Sequence, residues 1–329
     1  MSATLRDKRV LVTGAGGFIG SHLVERLADA GASVRALIHY NAQGSWGWLH
    51  ESPTRENIDV LMGDVCDRDS VRRAMEGREV VFHLAALIAI PYSYETPASY
   101  VRTNVEGTLN VLQAARELHV ERVVHTSTSE VYGTARYVPI DERHPLQAQS
   151  PYAASKIAAD KLAEAFYLSF DLPVVTVRPF NTFGPRQSAR AIVPTIVTQC
   201  LAGATVHLGN LSATRDFNYV DNTADGFVRA ALAPEAVGHT VNLGSGREIS
   251  IGELAELIGK LTNRKVKIVQ DITRMRPKQS EVDRLLGDSS RARTLLGWEP
   301  AVPLEDGLDR TIEWFKKNLG RYRVGSYTT

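Results

Sequence analysis

Apolar residues in the first half of the chain fall into short continuous runs, separated by stretches in which they recur every three or four positions. The runs at 9–13, 33–38, 58–62, 80–84, 122–126 and 173–177 are five or six residues long and rich in Val, Ile and Leu. That length and β-branched content predict buried strands. Between them, Ile19, Leu23 and Leu27 stand four apart within 18–30, and further helical stretches fall at 98–118 and 152–170. Strands alternating with helices predict an α/β fold with a doubly wound parallel sheet covered on both faces. From about Asn181 the elements shorten and arginines gather at 186, 190, 215, 274 and 276. The change predicts a larger domain over 1–180 and a smaller C-terminal lobe over 181–329, with some of its segments returning to the first. No internal repeat, low-complexity tract or linker interrupts the chain, and the polar stretch after Gly320 reads as a frayed end.

Composition narrows the partners. A formal net charge of +1 over 329 residues gives no bulk electrostatic reason to expect nucleic acid or a membrane surface. The longest apolar run, 80–91, is interrupted by His83 and falls well short of the ~20 residues of a membrane span. No charged segment followed by an apolar core and a cleavage site opens the sequence, so no secretory signal is expected. The two cysteines, Cys66 and Cys200, lie far apart and outside any metal-ligand spacing. They read as buried free thiols of a cytoplasmic protein, and no metal site is expected.

The first candidate chemistry lies where the first strand meets the first helix. Thr13-Gly14-Ala15-Gly16-Gly17-Phe18-Ile19-Gly20 lets Gly14 turn sharply out of the strand, Gly17 admit a pyrophosphate close to the backbone, and Gly20 pack the helix on the sheet. The amides of the helix start, at Phe18 and Ile19, then face the phosphates. This pattern makes 1–180 a dinucleotide-binding (Rossmann) domain. Asp64 and Val65, after the third strand, are placed to meet the adenine. The end of the second strand reads Ile38-His39-Tyr40-Asn41, with neither the carboxylate that holds a ribose nor an arginine pair, so NAD and NADP both stay open.

The second candidate is Tyr152-Ala153-Ala154-Ser155-Lys156, with a phenol and an ammonium four apart on one helix face. A nearby cation favours the phenolate, so Lys156 is expected to bring Tyr152 into range as a general base at neutral pH. The fifth strand ends in Thr126-Ser127-Thr128-Ser129-Glu130, which delivers hydroxyls to the carboxyl edge of the sheet.

The glycine turn, the Tyr152/Lys156 pair, Asn104 and Arg178-Pro179-Phe180-Asn181-Thr182-Phe183-Gly184-Pro185 together resemble the extended short-chain dehydrogenase/reductase superfamily over nearly the whole chain. Ser127-Thr128-Ser129-Glu130-Val131-Tyr132-Gly133 is similar to nucleotide-sugar 4,6-dehydratases of the GDP-mannose dehydratase type. The segments 85–94 and 41–49, the latter with Trp46-Gly47-Trp48, look like the N-acetylglucosamine-nucleotide 4,6-dehydratases of legionaminic acid pathways.

The resemblance implies a tightly bound NAD or NADP, regenerated each turnover, and a nucleotide-diphosphate sugar as substrate. Thr128 would hydrogen-bond the sugar 4-hydroxyl, Tyr152 take its proton, and Glu130 remove the C5 proton made acidic by the C4 ketone. Loss of water from C6 and return of hydride would give a 4-keto-6-deoxy sugar. Ser129 stands where the dTDP-glucose branch has Asp, which argues against that substrate. Either Glu130 serves as both base and acid, or a water relays a proton through Ser129. Asn181 and Arg215 would contact the diphosphate, with Arg276 on a phosphate and Glu281 on the ribose. Three residues separate Pro277 from Glu281, so Arg274 and Lys278 compete with Arg276. Trp46 and Trp48 either cover the mouth of the site or pack as loop residues. A homodimer is implied, paired through 98–118 and 152–170, with Leu109, Leu112, Ala159, Ala163 and Phe166 as apolar contacts. The competing readings are a C4-epimerase or UDP-glucuronate decarboxylase on the same scaffold and, from another class, a non-catalytic redox sensor.

Overall fold

A computed structural model describes residues 4–324. The first half contains β1 (Arg9–Thr13), α1 (Phe18–Asp29), β2 (Ser33–His39), β3 (Ile58–Gly63), α2 (Arg68–Met75), β4 (Val80–His83), α3 (Ile90–Glu95), α4 (Pro97–Tyr100), α5 (Gly107–Glu117), β5 (Arg122–Thr126), α6 (Pro151–Phe170) and β6 (Val174–Pro179). The second half adds β7 (Asn181–Phe183), α7 (Ile192–Ala202), β8 (Thr205–Leu208), β9 (Thr214–Tyr219), α8 (Val220–Leu232), β10 (Thr240–Leu243), β11 (Glu248–Ser250), α9 (Ile251–Leu261), β12 (Lys267–Gln270), α10 (Ser290–Leu296) and α11 (Leu304–Asn318).

Seven strands form one parallel sheet in the order β10-β6-β5-β4-β1-β2-β3. Its side chains sort by the two-residue period of a strand. Val10, Val12, Val80, Phe82, Val124 and Val175 enter one core with α1, α8 and α10, while Leu11, Val81, Val123 and Val174 enter another with α2, α5 and α6. Both faces are dry, which is why the strands read as unbroken apolar runs. The strand order reverses between β1 and β4, so a crevice opens at their carboxyl ends.

The chain crosses between layers after residue 180. The three-stranded sheet β11-β9-β7 and the pair β12-β8 build the smaller lobe around Phe183, Ile196, Phe217, Leu254 and Phe315. In contrast, β10 completes the large sheet, and α8 and α10 cover it through Phe227, Ala230 and Leu296.

Three local expectations are corrected. The stretch 98–118 is not one α-helix. Residues Val101–Glu106 form a π-helical turn between α4 and α5, and Gly107 seats the chain against Val65, where a Cβ would come within 2.9 Å of Val65 Cγ2. The end after Gly320 is tied down at first: Arg321 pairs with Glu51 at 2.7 Å and lies over Trp48, and Tyr322 packs on Phe315. Residues 325–329 lie outside the described part. Cys200 is buried, but Cys66 is half-buried, with Sγ against the Arg102 carbonyl and Thr103. Among the described residues no helix is long and apolar enough to cross a membrane, and no group of three or more His, Cys, Asp or Glu is arranged to hold a metal ion.

Candidate active site

The glycine turn joins β1 to α1 with the shape a dinucleotide needs. Gly14 has φ +67°, and a Cβ there would lie 2.8 Å from the Ala85 nitrogen. A Cβ at Gly20 would lie 2.2 Å from the Gly14 carbonyl oxygen. Gly14 therefore makes the turn and Gly20 brings helix and strand together. A Cβ at Gly17 would meet nothing nearer than the Gly14 oxygen at 3.2 Å, which leaves its outer side open. No side chain caps the start of α1, and no acidic residue stands in its first turn. The first-turn amides at Phe18, Ile19 and Gly20 and the positive end of the helix dipole are thus left for an anion. These residues fit a pyrophosphate. Asp64 follows β3 half-exposed, its carboxylate accepting from the Cys66 amide at 2.9 Å. Val65 is buried beneath α5. At the end of β2, His39 and Tyr40 are exposed and no arginine occupies 39–41.

The segment 41–49 packs as a loop. Gly47, at φ +60°, approaches Gly16 so closely that a Cβ would sit 2.3 Å from its oxygen, and the Trp48 amide donates to that oxygen at 3.0 Å. Trp48 meets Trp314 edge-on at 5.5 Å, and Trp46 packs on the first core. The two tryptophans brace the loop against the outside of the turn.

On α6, Ser150 caps the helix through the Ala153 amide, and Pro151 takes the first-turn position where its missing N–H costs nothing. Tyr152 and Lys156 are both buried, 7% and 4% exposed. The Lys156 ammonium makes no hydrogen bond to the Tyr152 phenol among the described residues. Burial pushes the Tyr152 phenol well above its ordinary range, against a hydrogen bond from Thr128, and the Glu130 charge pushes the same way. Lys156 is itself pushed down by burial to about 8, with Asp160 opposing. The ammonium donates instead to the Thr126 carbonyl at 2.6 Å and leaves Tyr152 to Thr128 and Tyr100. Tyr100 is fully buried and meets Tyr152 edge-on at 6.2 Å.

The segment after β5 folds as expected in part. Thr128 caps a short 3-10 turn over Ser129–Tyr132 by accepting from the Glu130 amide at 3.2 Å. Ser129 is buried. The Glu130 carboxylate has no hydrogen bond or ion pair among the described residues, yet its charge acts on both Tyr152 and Arg215. It therefore lies within electrostatic reach of both Tyr152 and Arg215.

The smaller lobe supplies that corner. Arg215, on β9, is 6% exposed and lies 3.5 Å from Glu281. Burial and the neighbouring Arg276 both lower its pKa. Two guanidinium groups held together at a crevice suit an anionic ligand. Arg276 has a buried nitrogen without a hydrogen-bond partner, as does the side-chain oxygen of Asn181. Arg274 pairs with Asp271 at 3.2 Å, and Lys278 is exposed. A hydrogen-bonded link joins the lobes beside this corner. Tyr94, in α3, meets the Ser280 hydroxyl at 2.5 Å, and Ser280 donates to the Gln149 carbonyl.

The structure thus brings Thr128, Ser129, Glu130, Tyr152 and Lys156 together with Arg215, Arg276 and Glu281. Sequence reasoning missed a buried polar layer below them. Asp160 accepts from Ser127 Oγ at 2.6 Å, from Arg178 at 2.9 Å and shares a contact with His125 at 3.1 Å. Arg178 also donates to the Tyr132 hydroxyl, which donates to Asn242. Asn104, in the π turn, holds Leu87 through both its nitrogen and carbonyl and donates to Ser155. One sequence signal was available: Tyr152, Lys156 and Asp160 repeat every four residues, so Asp160 falls on the same helix face.

Residues 11–311 match the model of the GDP-mannose 4,6-dehydratase family. A UDP-glucose 4-epimerase of Mycolicibacterium smegmatis is 36% identical over 314 residues, covering 94% of this chain and 98% of the relative. A dTDP-glucose 4,6-dehydratase of Streptomyces niveus is 34% identical over 318 residues, covering 94% and 93%. Among solved structures, the dTDP-glucose 4,6-dehydratase DesIV of Streptomyces venezuelae, with NAD bound, superposes with a TM-score of 0.86 at 31% identity and covers 95% of this chain and 98% of its own. With the glycine cradle, the buried Tyr152/Lys156 helix and the parallel sheet beneath them, these likenesses assign the chain to the GDP-mannose 4,6-dehydratase family of the extended short-chain dehydrogenase/reductases.

Proposed function

We propose that this protein is a nucleotide-sugar 4,6-dehydratase acting on an NDP-N-acetylglucosamine with guanine or uracil as its base. The observation that carries the reading is the uncommitted Glu130 carboxylate, within electrostatic reach of both Tyr152 and Arg215. Inverting C4 requires one acid–base group and a hydride carrier; eliminating water across C5–C6 requires a further base. A bound nicotinamide dinucleotide supplies hydride acceptance and return. The open glycine cradle supports its presence, and the His39-Tyr40-Asn41 segment, with no arginine or lysine for a 2′-phosphate, favours NAD over NADP.

In this account Thr128 donates to the sugar 4-oxygen and Tyr152 takes the 4-hydroxyl proton. Lys156 anchors the helix to the Thr126 carbonyl and keeps positive charge beside the developing phenolate. Glu130 removes the C5 proton, and Glu130 itself or a water on Ser129 protonates the departing C6 hydroxyl. Asn181, Arg215 and Arg276 receive the diphosphate. Glu281 steadies Arg215 and faces the ribose. Asp64 and Val65 border the adenine.

A second reading, C4-epimerisation, is favoured by the 36% identity to an epimerase. Incubating the purified protein with UDP- and GDP-linked hexoses and N-acetylhexosamines and recording product mass separates the two. The dehydratase removes one water; the epimerase leaves the mass unchanged.

We also propose a homodimer through α5 and α6. Four of the five apolar residues expected there are buried in the monomer, and the fifth, Leu109, is half-buried. Leu112, Ala159, Ala163 and Phe166 are spent on the monomer core. The outer face of α6 instead carries Ala154, Ala165 and Leu168, the last 71% exposed, with Val101 exposed before α5. Light scattering at micromolar concentration should give twice the chain mass, and Leu168→Lys should shift it toward the monomer.

A further inference from the structure

The buried layer beneath the catalytic pair contains a charged group that the chemistry above does not use. Asp160 is 5% exposed and lies one helical turn beyond Lys156. It gathers groups from two neighbouring strands. Ser127 Oγ, at the end of β5, donates to Oδ2 at 2.6 Å. His125, on β5, meets Oδ1 at 3.1 Å. Arg178, on β6, donates through Nε at 3.2 Å and through its terminal nitrogen at 2.9 Å.

We propose that Asp160 is a positioning residue for the reaction, clamping the Tyr152/Lys156 face of α6 to the strand end that presents Thr128 and Glu130 and supplying the negative charge that faces Lys156. The proposal rests on Tyr152 and Lys156 being the acid–base pair, whichever reaction they serve.

Two features support it. The first is reach. Ser127 immediately precedes Thr128, so a bond from Ser127 to α6 fixes the register between the two segments that must meet the same sugar carbon. A displacement of about 1 Å between such segments costs ~10²-fold in rate. The second is charge. Lys156 is faced by Asp160 from its own helix, by the Thr126 carbonyl and His125 from β5, and by His83 from β4. Both histidines are held toward the neutral form by burial. Arg178 is cationic and committed to Asp160 and Tyr132. Among the described residues Asp160 is the carboxylate that keeps Lys156 charged against its burial.

Asp160→Asn preserves shape and removes the charge. In the holoenzyme, with Lys156 labelled by [13C]lysine and its signal assigned by loss in Lys156→Arg, the Lys156 titration midpoint should fall by about 1–3 pH units. With UDP-N-acetylglucosamine as probe, kcat should fall ~10²-fold with KM nearly unchanged, and the alkaline limb of the pH–rate profile should move down with the lysine. Ser127→Ala removes the clamp but leaves the charge, so it should lower kcat without moving the limb. If the Asp160→Asn midpoint and limb superpose on the wild type and only the melting temperature falls, Asp160 is merely structural and the proposal is overturned. Should Asp160→Asn fail to fold, Asp160→Glu keeps the charge and shifts the carboxylate; an unchanged midpoint with lowered kcat supports the proposal, and an unchanged kcat refutes it. A midpoint that moves in a protein inactive on every nucleotide sugar would refute the assigned function while leaving the charge role of Asp160 standing.

Discussion

The glycine turn and the arginine corner both offer donors suited to phosphate, yet they are built in opposite ways. The turn uses backbone amides between Gly14 and Gly20, contiguous in sequence and free of titratable side chains. Its requirement is steric: Gly14, Gly16 and Gly20 have no room for a methyl group, and a Cβ at Gly17 would meet one tight contact, the Gly14 oxygen. The corner uses guanidinium groups from β9 and from a segment some sixty residues later, and it buries charge. Arg215 is therefore held by Glu281 and crowded by Arg276. A site made of dipoles needs only shape. A site made of buried ions needs counter-charges, and each counter-charge becomes a point of failure.

That contrast can be broken by mutation. The largest effect is expected at Gly20→Ala, whose Cβ would press into the Gly14 oxygen. Overpacking of this kind costs about 1–3 kcal/mol, and here it distorts the cradle itself. Purified Gly20→Ala should carry no dinucleotide by absorbance or mass spectrometry and should melt at lower temperature. Arg215→Ala comes next. It should weaken the affinity for free UDP or GDP by ~10–10²-fold in calorimetry, the loss expected of charge-assisted hydrogen bonds, and leave bound dinucleotide untouched.

Acid should affect the two regions unequally, because the buried titratable groups lie at and below the Tyr152/Lys156 face. Asp160 is lowered from 3.8 to about 2 by His125 and Arg178 against its own burial. A depressed carboxylate contributes stability above its unfolded pKa and loses it as pH falls through the folded value. The contribution is on the order of 2 kcal/mol. His83 and His125 are also held below 6.5 by burial, so the unfolded chain takes up their protons first and stability declines below that pH. Chemical denaturation across pH 7 to 2 should show this decline, with Asp160→Asn flattening its lowest part. The smallest effect is expected at Gly17→Ala. Only one contact, at 3.2 Å, opposes its Cβ, so stability should change by less than about 1 kcal/mol while dinucleotide affinity falls.

The same contrast explains what the sequence made legible. The strands, the glycine turn and the Tyr152/Lys156 face depend on neighbours within a few residues, and their periodicity survives in one dimension. The arginine corner is assembled from residues 130, 215, 276 and 281, whose proximity no local pattern encodes; only the resemblance brought them together. The π turn around Asn104 was invisible because its apolar spacing passes for an ordinary helix. The direction of the Lys156 side chain is hidden for a related reason. Four-residue spacing places two side chains on one face, but it cannot say that the ammonium turns to the Thr126 carbonyl. Cys66, Leu112 and Phe166 show the converse limit: hydrophobicity predicts burial without saying whether a core, a partner or solvent receives the side chain.

The central claim is that Glu130 removes the proton at C5. Its most direct test is turnover of the accepted nucleotide sugar in deuterium oxide by wild type and Glu130→Gln, read by NMR and mass spectrometry. The account predicts a wild-type 4-keto-6-deoxy product one water lighter and carrying deuterium at C5. Glu130→Gln should lose dehydration by ~10²–10⁴-fold and introduce no C5 deuterium. A Glu130→Gln variant that dehydrates at the wild-type rate, or a wild-type product inverted at C4 with its C6 hydroxyl retained, would contradict it.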